Sequence, residues 1–399
     1  MSSQGSMGSM GSMGSMGSMG SMGSMGSMGS MGSMAVAGMP GVAGDGGVNA
    51  LVVQGLLIGT PALMRSDAQF GSPLPDGPDF AGEAVEHLES YANWVRASLY
   101  LSEFLGGLHW TIEAEKGTPA SKVELVVGKT SIATIARPSF GAFRAQMPFL
   151  RDYMDQRSDR AAEIISQMGM PADYFGTIMG LTNARNRYIL ELMLAVQVLA
   201  AHVAMFAKHQ LACRRPDKLS PFVMPMLPTP GHNSYPSAHA TEAFAVATVL
   251  DGLVHSEAGW KHYPEPGMVG TLLYRQAERI AVNRTVAGMH FPIDSWAGAS
   301  LGEAVGQLIL AMAGAERIAA RDEKAQQTRI VARRFDAPDV GATAPEIAPG
   351  GNDFRLDAFL DPAKAVNHGL VRDGVVGITA SPLFSWLWSK ATGELSVGA

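Results

Sequence analysis

A single cysteine, Cys213, occurs in 399 residues, so no internal disulfide can form. A chain of this kind suits a reducing compartment. Excess positive charge is missing too: 30 Lys and Arg stand against 36 Asp and Glu, a formal net charge of −6. Without a global basic field, nucleic acid is excluded as a main partner. Any positive charge that matters has to be local. The N-terminus lacks a basic stretch followed by an apolar core, so no secretory leader is expected. Apolar runs of membrane length are few. Tyr188 to Lys208 qualifies by length but carries Glu191, Gln197 and His202, and Ala297 to Ala315 carries Glu303 and Gln307. Such side chains are costly at mid-bilayer. Both runs are therefore expected to be buried helices, the chain to have no membrane span, and its location to be cytoplasmic. Convincing strands are scarce as well.

What is present divides into four stretches. Residues 5 to 34 are an uninterrupted Gly-Ser-Met repeat. It lacks proline and so is not collagen-like, and Gly and Ser disfavour order. Residues 1–44 are expected to be a disordered low-complexity tail, with an interaction segment or a methionine oxidant sink as the sharper alternatives. Residues 45–78 are Gly/Pro-rich and are expected to form an extended arm.

Residues 79–316 read as a helical catalytic domain. Asp79 stands as an N-cap, and apolar residues recur at helical spacing from Phe80 to Leu105. Further helices are expected over Leu150 to Met168, Ala184 to Cys213, Ser237 to about Val254 and Met268 to about Val286; Gly288 and Pro292 bracket His290 at a turn, and a further helix follows to about Ala315. Thr118 to Thr130 gives no clear pattern. Residues 317–399 are expected to be peripheral, with one apolar cluster at Phe384, Trp386 and Trp388 that packs on the core or on a second copy in a homo-oligomer. The fold class is mainly α, a helical bundle.

Three clusters carry chemistry. Lys208 is followed after six residues by Arg215-Pro216; Pro236-Ser237-Ala238-His239 opens a helix; Arg284 is followed after five residues by His290 and after three more by Asp294. Arg offers a planar fork and Lys a point charge, and both suit a tetrahedral oxyanion. Ser237 caps a helix whose free N–H groups face the same anion. His239 lies in that first turn, and Asp294 stands one turn after His290, where it can orient the ring. Gly298-Ala-Ser300-Leu-Gly302 formally matches a nucleophile elbow, but no strand precedes it. Those glycines read as helix packing. His202, on the apolar helix, reads as a core histidine.

In this order and spacing the three clusters resemble the type 2 phosphatidic acid phosphatase and vanadium haloperoxidase superfamily. The resemblance covers residues 208 to 294 directly, and roughly 80 to 316 if the flanking helices belong to that family's bundle. It implies that Lys208, Arg215 and Arg284 bind equatorial oxygens with Ser237 and the Ala238 N–H. It implies that His290 bonds the central atom, as axial ligand to vanadium or covalently to phosphorus, and that His239 is the acid/base opposite. Ala238 stands where the family usually has glycine, and its N–H survives if its φ is negative. Asn283 stands where many phosphatase members have serine.

His232, five residues before Ser237, resembles the histidine that algal bromoperoxidases place there, and could relay a proton; the plainer reading is a loop cap. The implied activity is oxidation of a halide, bromide or iodide, by hydrogen peroxide with vanadate as cofactor and an organic acceptor. The alternative is a soluble phosphatase that takes a phosphate ester through a phosphohistidine and needs no cofactor. A third reading, a scaffold that has kept the fold, is opposed by the intact His239 and His290.

Overall fold

The computed structural model describes residues 85–169, 172–320, 323–326, 329–336 and 353–396, with Gln54 and Ile58. The Gly-Ser-Met repeat, nearly all of the arm and the Asp79 cap lie outside these residues. The described elements are mainly helical. In chain order they are α1 (Asn93–Gly106), strands β1 (Leu108–Glu113), β2 (Lys122–Val127) and β3 (Thr130–Ala136), then α2 (Arg157–Ser166), α3 (Ala172–Met179), α4 (Arg187–Leu211), α5 (Ala238–Val254), α6 (Pro266–Val286) and α7 (Pro292–Met312). There follow β4 (Glu316–Ala320), β5 (Glu323–Gln326), β6 (Arg329–Phe335), β7 (Leu370–Gly377) and α8 (Pro382–Ser396). Shorter helical turns, among them Phe140–Ala145 and Glu257–His262, fill the connections.

The helix α5 is the hub. Nearly every residue from Ala240 to Val254 is buried, and α4, α6 and α7 pack around it. Its alanines are what make this possible, because small side chains let helix backbones approach closely. The facing stripe on α7 is Gly298, Gly302 and Gly306, each one turn after the last. A Cβ on Gly298 would lie 2.4 Å from the Ser237 carbonyl oxygen, one on Gly302 2.2 Å from that of Thr241, and one on Gly306 2.9 Å from that of Ala245. No side chain larger than hydrogen fits against that backbone. The glycine pair read as helix packing has that role, and the same contact sets the start of α5 beside the start of α7, where the Ser237 N–H donates to the Asp294 carbonyl oxygen at 2.8 Å.

A five-stranded sheet of order β1-β2-β3-β6-β7 lies against the bundle, with β3 and β6 parallel and the other pairs antiparallel. The segment that gave no clear pattern, Thr118 to Thr130, is mostly β2 and the turn into β3. Val123, Leu125, Ile132 and Ile135 point into the core, and Gly128 (φ +61°) and Lys129 make the two-residue turn. The C-terminal stretch closes the same core: Phe359, Phe384, Leu387 and Trp388 are buried in it, and α8 packs on α4. The expected helix from Leu150 is broken at Tyr153–Gln156, a tight 3-10 turn, before α2 begins.

The expectation of a chain with no membrane span is corrected. The helix beginning at Arg187 is long and apolar enough to cross a membrane by length and composition, and 72% of its most apolar stretch is buried within the protein. The polar residues taken to forbid a span are all satisfied internally. Glu191 forms a buried ion pair with Arg96 at 2.6 Å, Gln197 donates to Glu242 at 3.4 Å, and His202 Nδ1 bonds the Val198 carbonyl one turn back at 2.8 Å. Paired in this way they carry little of the cost that isolated polar groups would. In α7, Glu303 is likewise paired, with Arg333 and Arg372.

Candidate oxyanion site

Three structural devices bring the three clusters together. The last turn of α4 carries Lys208, and the helix stops at Ala212, whose left-handed conformation (φ 51°) turns the chain toward Arg215. The loop 213–236 returns over that turn, held by the Asn233 amide, which donates to the Lys208 carbonyl at 3.1 Å. The α6–α7 turn contains Gly288 at φ +74°, where a Cβ would also press on Arg157 and Val223. It puts Arg284 at the end of α6 and His290 just before α7.

Lys208 Nζ donates to the carbonyls of Asn233 (3.1 Å) and Ser234 (2.6 Å). The Arg215 guanidinium donates to the carbonyls of His232 (2.9 Å) and Met289 (3.0 Å) and lies 3.4 Å from His290 Nε2. Arg284 donates through one terminal nitrogen to the Ile164 carbonyl (3.1 Å) and the Gln167 amide oxygen (3.4 Å), while its Nε is buried without a partner among the described residues. Burial pushes the Arg284 guanidinium down to about 10, which leaves it charged at neutral pH. Lys208, Arg215 and Arg284 are all less than 5% exposed.

His290 Nδ1 sits 2.8 Å from Asp294 Oδ2, and the same oxygen accepts from the Phe291 N–H (3.1 Å) and the Ser234 hydroxyl. Burial, then Arg215 and Lys208, hold His290 well below the ordinary imidazole range. The neutral ring gives its one proton from Nδ1 to Asp294, so Nε2 keeps a lone pair on the side of Arg215. Burial raises the Asp294 carboxyl, against the Ser234 hydroxyl, Lys208 and the Phe291 N–H, which lower it. Ser237 is fully buried as the cap of α5, its hydroxyl accepting from the Ala240 N–H at 3.4 Å. Ala238 follows as the first helical residue, is absent from the positive-φ residues, and so keeps the backbone that the N–H contact needs.

His239 is on the Arg284 side. Its Nε2 bonds the Gln167 carbonyl at 2.9 Å, and burial, with Arg284, pushes it down to about 3. His232 falls to about 3 through burial, Lys208 and Arg215. Its Nδ1 lies 3.2 Å from an Arg215 nitrogen and 3.0 Å from the Asn233 carbonyl, so it accepts from the first in one tautomer and donates to the second in the other. All nine candidate positions therefore gather at one place, and His202 stays on α4 away from it.

Sequence reasoning missed two partners. Ser234, inside the loop between His232 and Ser237, supports the His290–Asp294 pair and had only its nearness to the motif as a signal. Gln167 lies some seventy residues before His239. Its amide oxygen accepts from Asn283 (2.9 Å) and Arg284, and its carbonyl holds His239. Nothing local marks it, because a buried glutamine after a helix is defined by what folds over it.

Two buried guanidiniums and the Lys208 amine, held well below its usual range by burial and Arg215, face one carboxylate here. Glu242, also within reach of Lys208, has its carboxyl pushed up to about 8 by burial and so brings no charge at neutral pH. Buried positive charge in surplus, with an unpartnered guanidinium N–H, is the electrostatic mould of an oxyanion, and the donor set fits vanadate or phosphate alike. The site is thus a cation-lined cluster with two histidines, set at the helix ends of a bundle. Residues 188–318 match the family model of the PAP2 superfamily, so this stretch of the chain is a PAP2-type domain.

Among curated proteins, the vanadium-dependent bromoperoxidase of Ascophyllum nodosum is 35% identical over 94 residues, 19% of this chain and 17% of the relative. The chain thus matches less than a fifth of that relative's length. Among solved structures, the transmembrane PAP2 type phosphatidylglycerolphosphate phosphatase from Bacillus subtilis aligns over 42% of this chain and 84% of its own, at 21% identity and a TM-score of 0.34. With a helix of spanning length among the described residues, the expected cytoplasmic location is withdrawn.

Proposed function

We propose that this protein is a vanadium-dependent haloperoxidase-like enzyme, which oxidises bromide or iodide with hydrogen peroxide. The observation that carries the reading is the surplus of buried positive charge around a neutral His290, whose unprotonated Nε2 has only the long 3.4 Å contact from Arg215 to give up on ligation. The second support is His232 on the Arg215 guanidinium, a proton-carrying group beside the oxyanion site and the feature shared with algal bromoperoxidases. Bound vanadate would supply Lewis-acid activation of peroxide toward halide.

The chain's own residues do the rest. Lys208, Arg215 and Arg284 would hold the oxyanion and offset its charge. Asp294 and Ser234 fix the His290 tautomer, which leaves Nε2 unprotonated and able to hold the group. His239 and His232, both neutral at working pH, would accept and return protons beside the bound group. For His239 this requires release of Nε2 from the Gln167 carbonyl or use of Nδ1.

The second reading is a phosphatase in which His290 Nε2 attacks phosphorus and His239 protonates the leaving oxygen. The unprotonated nitrogen beside Arg215, Lys208 and Arg284 favours it as directly as it favours ligation. Vanadate separates the two. On the first reading, protein stripped of oxyanion does not brominate a phenol-red acceptor with bromide and peroxide; vanadate switches bromination on and phosphate competes. On the second, an aryl phosphate is hydrolysed without vanadate, and vanadate inhibits as a transition-state mimic. Inhibition alone, with no bromination at any vanadate concentration, sinks the haloperoxidase reading.

A further inference from the structure

A second, half-open cavity of about 190 Å³ lies between the end of β3, the short helix Phe140–Ala145 and the turn that follows α4. Two faces give it its chemistry. Phe140, Phe143 and Leu219 supply apolar wall, with Phe143 buried and Phe140 61% exposed at the rim. Arg137 and Arg214 supply two exposed guanidinium groups, and neither has a side-chain hydrogen bond or ion pair to a described residue. The Cys213 thiol, pushed up to about 12 by burial, contributes a neutral wall. An apolar cavity of about 150 Å³ already takes benzene, so this one has room for a six-membered ring with a substituent. A guanidinium both stacks on a ring and forks onto a carboxylate.

The cavity shares its walls with the oxyanion site. The Cys213 carbonyl accepts from the Ser234 N–H at 2.9 Å, and Arg214 immediately precedes Arg215. The Phe143 ring meets Tyr235 edge-on at 6.3 Å and Phe291 at 5.0 Å, the neighbours of Ser234 and His290.

We propose that this cavity binds a small aromatic anion, its ring against Phe140 and Phe143 and its acid group on Arg137 and Arg214, beside but separate from the oxyanion site. It gives the enzyme a place to hold an organic acid next to the reacting centre. The assignment stands on this cavity alone and holds for either chemistry at His290.

The test titrates the full chain with 4-fluorobenzoate, followed by fluorine NMR, in saturating phosphate so that the oxyanion site is filled. Saturable binding is expected, with fluorobenzene, and acetate read as a competitor of 4-fluorobenzoate, each at least tenfold weaker. The double variant R137Q/R214Q, altered only at exposed side chains, should weaken binding roughly tenfold or more, the worth of one partly exposed charge-assisted hydrogen bond. F140A should weaken it while the melting temperature stays unchanged. If the double variant folds poorly, R137Q alone should give a smaller loss in the same direction. No saturable binding, or binding that the arginine variants leave unchanged, overturns the proposal. Binding that phosphate abolishes does so as well, because it places the ligand on Lys208, Arg215 and Arg284.

Discussion

His290 is neutral because it is buried among cations, and its tautomer is set by Asp294 and Ser234. A buried imidazole that must stay neutral depends on the acceptor on its far side. His290→Ala should therefore abolish turnover in whichever assay the protein supports, since both chemistries use the same Nε2. Full turnover in that variant would remove the site assignment altogether. His239→Ala should lower turnover by about 100- to 10,000-fold, the usual range for a general acid/base, with a much smaller effect on oxyanion affinity. Equal losses in both, read from kcat and from isothermal titration, would make His239 a binding residue instead. His232→Ala separates the branches at the same scale: bromide oxidation should fall while vanadate affinity barely moves.

At the scale of elements, the contact between α5 and α7 sets the site. Gly302→Ala places a Cβ 2.2 Å from the Thr241 carbonyl oxygen, and only a shift of backbone relieves it. The expected cost is about 1–3 kcal/mol in urea unfolding, the range for overpacking, together with weaker oxyanion binding because Ser237 moves relative to Asp294. Gly393, in α8, has open space where a Cβ would go. Gly393→Ala should instead stabilise by about 0.5–1 kcal/mol through helix propensity. If the two substitutions had the same effect, close backbone packing would not be what holds the helices in register.

For the whole molecule, the buried cations and depressed histidines predict a pH dependence. His232 and His239 sit at about 3 in the folded chain against an ordinary 6.5. Below pH 6.5 the unfolded chain takes up protons that the folded chain refuses until about pH 3. Stability is therefore intact above 6.5 and is lost as pH falls through that window. An anion bound among Lys208, Arg215 and Arg284 raises the folded histidine values and offsets the loss. The melting temperature of phosphate-free protein should drop between pH 6.5 and 4, and saturating phosphate should reduce the drop as well as raise the melting temperature at pH 7. A profile that is flat, or that phosphate leaves unchanged, would mean that these groups are solvated.

The long helices were legible because their apolar spacing and their caps are local: α4, α5, α6 and α7 lie within a few residues of where periodicity put them. The motif residues were legible because chemistry fixes their type and their spacing along helix ends and turns. The sheet was not, because β3 and β6 are nearly two hundred residues apart and a strand's partner leaves no local trace. Only the Gly128-Lys129 turn between two apolar runs was there to be read. Gln167 and Ser234 were hidden for the same reason, since their importance comes from what folds beside them. Glu191 misled the reading of α4 as a helix unable to span, because its cost depends on Arg96, which only the packing of α1 supplies. Sequence alone determined which groups could hold an oxyanion. Tertiary structure decided that they meet, that their charges are buried without enough counter-charge, and that His290 stays neutral, because desolvation and distance exist only once helices from distant parts of the chain are packed together.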